Sequence, residues 1–236
     1  MIEIIGIKKS YGMIEALKGI DLTIPQGSFY AYVGENGSGK TTTIKLLISI
    51  LKPDSGDIMF NGVSVFKNSI NVKSKIGYVS DLPLLLEGLT GKEYLNFTFE
   101  IFECYNQENL RKLEELIEIF EFKTYLNSPI LSYSLGTKKK LSILSALCHA
   151  PSFLILDEPM SSLDPKAVIE FKNILKSFTK NGGTVFFSTH SLDFAEKYCD
   201  EVAFLMKGQI VKKGNINDLL AENVSLESLY MRSLIQ

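Results

Sequence analysis

The sequence predicts an α/β fold, a mixed β-sheet whose central strands run parallel, layered with helices and carrying an inserted α-helical subdomain. Three observations predict it. β-type runs alternate with helical patterns over both ends of the chain, at residues 29–33, 153–156, 184–188 and 202–206, as parallel strands joined by helical crossovers require. Phe153-Leu154-Ile155-Leu156 and Val185-Phe186-Phe187 are continuously apolar, the mark of strands covered on both faces. The middle of the chain, residues 84–145, shows no convincing strand and instead sets Leu110, Leu113, Ile117 and Phe120 at helical spacing.

The elements follow in chain order. Residues 29–33 form a strand, and an apolar helix over 43–51 follows a glycine-rich connection. Leu82, Leu84, Leu85, Leu86 and Leu89 then crowd around Pro83 and Gly88, a short leucine-rich connection that either covers the subdomain's own core or forms a docking surface. Val168, Phe171, Leu175 and Phe178 recur at helical spacing and lay a helix on the sheet. Leu226, Leu229, Tyr230 and Leu234 predict a last helix, within 225–236, folded onto the body. With no internal repeat, low-complexity stretch or Gly/Ser tether, the chain is read as one domain, 1–236, with a core of 1–83 and 146–236 and a helical subdomain of about 84–145.

Composition narrows the function. Among 236 residues, 25 Lys and Arg stand against 27 Asp and Glu, a net charge of −2, so no overall positive field holds a nucleic acid. Apolar residues at 45 % and charged residues at 22 % suit a chain that buries a core. The longest run free of Asp, Glu, Lys and Arg, residues 141–156, is shorter than a membrane span and contains His149 and Pro151. The N-terminus lacks the pattern of a secretory signal, so the expected compartment is the cytosol, where the sequons at Asn96 and Asn223 carry no glycosylation meaning. Cys104, Cys148 and Cys199 are odd in number and widely spaced, which argues against a disulfide framework or a zinc site.

The strand 29–33 runs straight into Gly34-Glu35-Asn36-Gly37-Ser38-Gly39-Lys40-Thr41-Thr42, which satisfies the phosphate-loop pattern G-x-x-x-x-G-K-[ST] with strand and helix in the required places. Its glycines let successive N–H groups turn inward on an anion, and the helix that follows aims its positive dipole end at the same point. Polyphosphate is the natural guest. Lys40 would reach the β- and γ-phosphates, and the Thr41 hydroxyl would ligate Mg²⁺. A second signal is the apolar strand ending in Asp157-Glu158-Pro159, since ligands of open α/β sheets lie at the carboxyl ends of strands. Asp157 is placed to hold Mg²⁺, usually through water, and Glu158 to orient or deprotonate an attacking water.

With these residues in place the chain resembles the ATP-binding-cassette (ABC) ATPases, P-loop NTPases, over nearly its whole length. Tyr11, in Lys9-Ser10-Tyr11-Gly12, resembles the aromatic that stacks on adenine. Ile76-Gly77-Tyr78-Val79-Ser80-Asp81 resembles the strand and loop in which the family normally has Gln. Tyr133-Ser134-Leu135-Gly136-Thr137 stands where the signature Leu-Ser-Gly-Gly-Gln belongs, Ser161-Ser162-Leu163-Asp164 resembles the loop that crosses to a partner, and His190 resembles the switch histidine.

The resemblance implies a Mg-dependent ATPase in which two such chains, expected as a homodimer, pack head to tail around two ATP molecules. Ser134 and Gly136 of one would face the γ-phosphate held by Lys40 of the other. A helix is expected to begin after Gly136, and the run Lys138-Lys139-Lys140 reads in part as its solvated face. Two departures stand out: Asp81, a candidate Mg²⁺ ligand beside Thr41 and Asp157, puts a carboxylate where an amide is usual, and Leu135 replaces a glycine. The resemblance further implies a peripheral subunit at the cytoplasmic face of the cell membrane that powers a separate transmembrane permease, in the manner of bacterial export ATPases, and that binds no nucleic acid. Two competing classes are a soluble cassette ATPase acting on nucleic acid or ribosomes and a small-molecule P-loop kinase. The first normally resembles tandem cassettes or carries long coiled coils; the second leaves Ser134-Leu135-Gly136, Ser161 to Asp164 and His190 unexplained.

Overall fold

A computed structural model describes residues 1–67, 69–221 and 224–235; Asn223 and Gln236 lie outside the described residues. The chain opens with a long antiparallel hairpin, β1 (Ile2–Tyr11) and β2 (Ile14–Ile24), then β3 (Phe29–Val33) and α1 (Lys40–Leu47). β4 (Ser55–Phe60), β5 (Val63–Ser64), α2 (Ser69–Lys73) and β6 (Ile76–Val79) follow. Then come α3 (Gly91–Ile101), α4 (Gln107–Ile119) and α5 (Leu135–Cys148). The chain returns to the sheet with β7 (Phe153–Asp157), α6 (Pro165–Lys180), β8 (Thr184–Thr189), α7 (Leu192–Tyr198), β9 (Glu201–Met206) and β10 (Gln209–Asn215), and ends in α8 (Ile216–Leu220) and α9 (Leu226–Ile235).

Among the described residues the strands make two sheets. One has the order β10-β9-β3-β8-β7-β6, parallel except for the antiparallel edge strand β10. The other, β2-β1-β4-β5, is antiparallel and was not anticipated from the sequence. Side chains of the larger sheet alternate between two apolar layers, as the two-residue strand period dictates. Tyr30, Tyr32, Ile155, Phe186 and Leu205 face the antiparallel sheet and α1, whereas Phe29, Ala31, Val33, Leu154, Leu156 and Phe187 face the helices. Both faces are covered, which is why these strands read as unbroken apolar runs.

Caps fix the helical segment. Thr90 and Glu93 form a reciprocal capping box at the start of α3, and the Asn106 side chain accepts from Asn109 N at the start of α4. Leu113, Ile117 and Phe120 are buried at the predicted spacing. The leucine-rich connection divides: Leu85 and Leu89 pack on the core, whereas Leu82, Leu84 and Leu86 are exposed.

Three expectations need correction. α1 begins at Lys40, immediately after Gly39, and ends by Ser49, whose left-handed φ of 56° lets Ile50 N donate back to Lys45 O. The expected span of 43–51 therefore sits too late. α5 starts at Leu135 with Ser134 as its cap, so Gly136 lies inside the first turn instead of before it. The Lys138–Lys140 run is not a solvated face: Lys138 pairs with Glu87, Lys140 with Asp164, and Lys139 is wholly buried.

Candidate functional site

The phosphate loop turns where its glycines permit. Gly39, the residue before α1, has φ 114°, a conformation that L side chains rarely adopt. Gly34 is needed for closeness: a Cβ there would stand 2.4 Å from Leu205 O and 2.6 Å from Ser38 Oγ. Inside this curl the Lys40 ammonium is buried and donates to Gly34 O at 2.7 Å and Glu35 O at 3.2 Å. Burial depresses its pKa, and the nearby Glu158 and Asp157 carboxylates oppose that shift.

The end of β7 supplies two carboxylates that diverge. Asp157 is 3 % exposed; its Oδ1 accepts from Ser188 Oγ at 2.5 Å and its Oδ2 from Thr41 Oγ1 at 3.0 Å. Glu158 follows with φ 42°, left-handed and unusual for a side chain of its size, and this twist turns it away from its neighbour. Its Oε1 lies 3.1 Å from Nδ1 of the exposed His190, which donates there when that nitrogen carries the proton. Glu158 N donates to Ser188 Oγ at 3.3 Å, and Glu158 O accepts from Ser161 Oγ at 2.8 Å.

These groups border one open cavity of about 270 Å³. Tyr11, Asn36, Gly37, Gly39, Lys40, Thr41, Thr42, Asp81, Asp157 and Glu158, all singled out in the sequence, lie on its wall. Gly34 and Ser38 form the back of the loop, and His190, off that wall, meets Glu158 beside it. Ser134 and Gly136 are not on that wall. They sit at the start of α5, where a Cβ on Gly136 would stand 2.6 Å from Ser162 O. The Asp81 carboxylate is turned toward Ser161, accepting its hydroxyl at 3.0 Å.

Chemically, the site offers an anion cradle of backbone N–H groups with a buried ammonium, and beside it a hydroxyl and carboxylate pair of hard oxygens. A second carboxylate, Glu158, stands next to the first within 3.1 Å of His190 and can take a proton. The sequence did not reveal Ser188, which faces Asp157 across the β7–β8 pair, because strand register is not written in local pattern. It also gave no role to Lys139.

Comparison with known proteins matches residues 17–161 to the family model described as ABC transporter. An uncharacterized ABC transporter ATP-binding protein of Nostoc sp. is 34 % identical over 209 residues, 88 % of this chain and 62 % of that protein. The bacitracin transport ATP-binding protein BcrA of Bacillus licheniformis is 32 % identical over 218 residues, 92 % of this chain and 70 % of BcrA. Less than two thirds of the Nostoc relative's length is thus spanned. A solved structure described as the ATP binding subunit of an ABC transporter superposes with a TM-score of 0.94 at 29 % identity, covering 99 % of each chain.

Proposed function

The chain belongs to the ABC transporter family as one of its ATP-binding ATPases, and on that premise we propose that it drives a separate membrane-spanning partner by closing against a second copy of itself around two Mg·ATP molecules. The observation that carries this reading is the convergence of Lys40, Thr41, Asp157 and Glu158, from two distant parts of the chain, on one cavity at the strand ends.

Each residue then has a role. Tyr11, half-exposed on the cavity wall, stacks on adenine. The N–H groups of 34–42 and the Lys40 ammonium hold the β- and γ-phosphates. Thr41 and Asp157, already 3.0 Å apart, would hold Mg²⁺, which would supply charge neutralisation at the phosphate oxygens. Glu158 takes a proton from water as the water oxygen bonds to the γ-phosphorus. The bond to the bridging β,γ-oxygen breaks, and ADP leaves with the electron pair. His190 keeps Glu158 in place, and its exposure leaves it free to reach the γ-phosphate.

Dimer closure is proposed because Ser134 and Gly136 lie off the cavity of their own chain and stay open to a neighbouring one. A second copy approaching head to tail lets the N-terminus of its α5 face the γ-phosphate. Cleavage removes the ligand that favours closure, so the pair opens by differential affinity. The exposed Leu82, Leu84 and Leu86 are the proposed seat of the membrane partner. Among the described residues no helix is long and apolar enough to cross a membrane, so the span is assigned to that partner. Similarity to a bacitracin transport ATP-binding protein supports a role in transport, which we propose is export, with the cargo chosen by the partner.

Glu158→Gln tests the reading. Removing the base while sparing the cradle should leave ATP binding intact, cut turnover by about 10²–10⁴ and yield a species of twice the mass in Mg·ATP. Unchanged turnover removes Glu158 from its role, and a persistent monomer removes the closure step.

A further inference from the structure

Lys139 is the one member of the three-lysine run whose charge is wholly buried, and it is met by carbonyl groups, whereas Lys138 and Lys140 pair with carboxylates. Its ammonium donates to Ser80 O at 2.8 Å and to Asp81 O at 2.6 Å, on the loop after β6. The Asp81 carboxylate in turn accepts from Ser161 Oγ at 3.0 Å, and the same hydroxyl stands 2.8 Å from Glu158 O. A buried ammonium is costly unless its surroundings compensate it. Burial does depress its pKa, while Asp81, Asp157 and Glu158 together favour its charged form.

We infer that Lys139 is a positioning residue for hydrolysis: it pins the carbonyls of 80–81 and, through Asp81 and Ser161, sets the backbone from which Glu158 projects. The inference rests on Glu158 acting as the base. It makes α5, which begins at Leu135, a rigid bar whose middle lysine of three reaches the Glu158 side of the site within one chain. Removing the ammonium leaves two carbonyls without their donor and frees the loop. An ångström of misplacement at the base can cost on the order of 10²-fold in rate while the phosphate cradle is untouched.

The test compares Lys139→Gln, Ser161→Ala, the double variant and Glu158→Gln in the full chain. Lys139→Gln should lower kcat tenfold or more, up to roughly 10²-fold, and change ATP affinity by less than about twofold. In nucleotide-free protein its amides at 80–82 and 160–162 should exchange faster with deuterium. Adding Ser161→Ala should cost little more than Lys139→Gln alone, because both cut one chain of contacts. Wild-type kcat, unchanged exchange, or losses that simply multiply would each overturn the inference. If Lys139→Gln does not fold, Ser161→Ala carries the test, and normal turnover by it overturns the proposal. Glu158→Gln separates the two readings: its retention of activity defeats the base assignment, whereas its inactivity beside a normal Lys139→Gln defeats only the positioning role.

Discussion

Ser188→Ala probes the support beneath the buried Asp157 carboxylate. Ser188 is fully buried; its Oγ donates to Asp157 Oδ1 at 2.5 Å and itself accepts from Glu158 N at 3.3 Å. Asp157 is only 3 % exposed, so water cannot readily replace a lost donor, and Thr41 alone would remain on its other oxygen. A hydrogen bond to a charged group contributes about 1.5–3 kcal/mol. In a domain of this size each kcal/mol shifts Tm by about 2–4 °C, so nucleotide-free Ser188→Ala should melt about 3–12 °C below the parent. Calorimetry of both proteins in the same buffer measures this. A Tm within about 1 °C of the parent would refute the view that Ser188 carries the buried carboxylate.

Other substitutions probe separate parts of the site. Lys40→Ala removes the ammonium that spans the curl of the loop and should lose nucleotide affinity by at least tenfold, about 1.4 kcal/mol, in a direct titration; normal binding would count against the phosphate-loop assignment. Gly136→Ala places a Cβ 2.6 Å from Ser162 O and should push the 161–163 loop outward, cutting turnover by about tenfold and accelerating amide exchange there. Parental exchange rates in that variant would show that α5 and the loop tolerate the contact.

How much of this could be read beforehand varies by element. Phe29–Val33 and Phe153–Asp157 were legible as strands because both faces are buried, leaving no acid or base to blur the pattern until Asp157. β1 and β2 were harder: each buries only some of its side chains and their pairing is interrupted by register shifts, so neither a clean alternation nor an apolar run survives. The loop 34–42 was legible because its chemistry is local. Thr41 and Asp157 are 116 positions apart, and only the parallel packing of β3, β8 and β7 brings them together. Lys139 shows the limit of charge patterning. Neighbours on a helix point about 100° apart, so a run of like residues is divided among different surroundings. On α5 it leaves the outer two lysines at half-buried ion pairs and drives the central one inside.

The left-handed backbone at Glu158 has a further consequence for how such a protein can change over generations. A glutamate held there costs on the order of 1–3 kcal/mol of folding free energy, a burden that asparagine, tolerant of the same twist, would largely relieve. On the proposed reading of Glu158 as the base, Glu158→Asn should therefore trade turnover for stability.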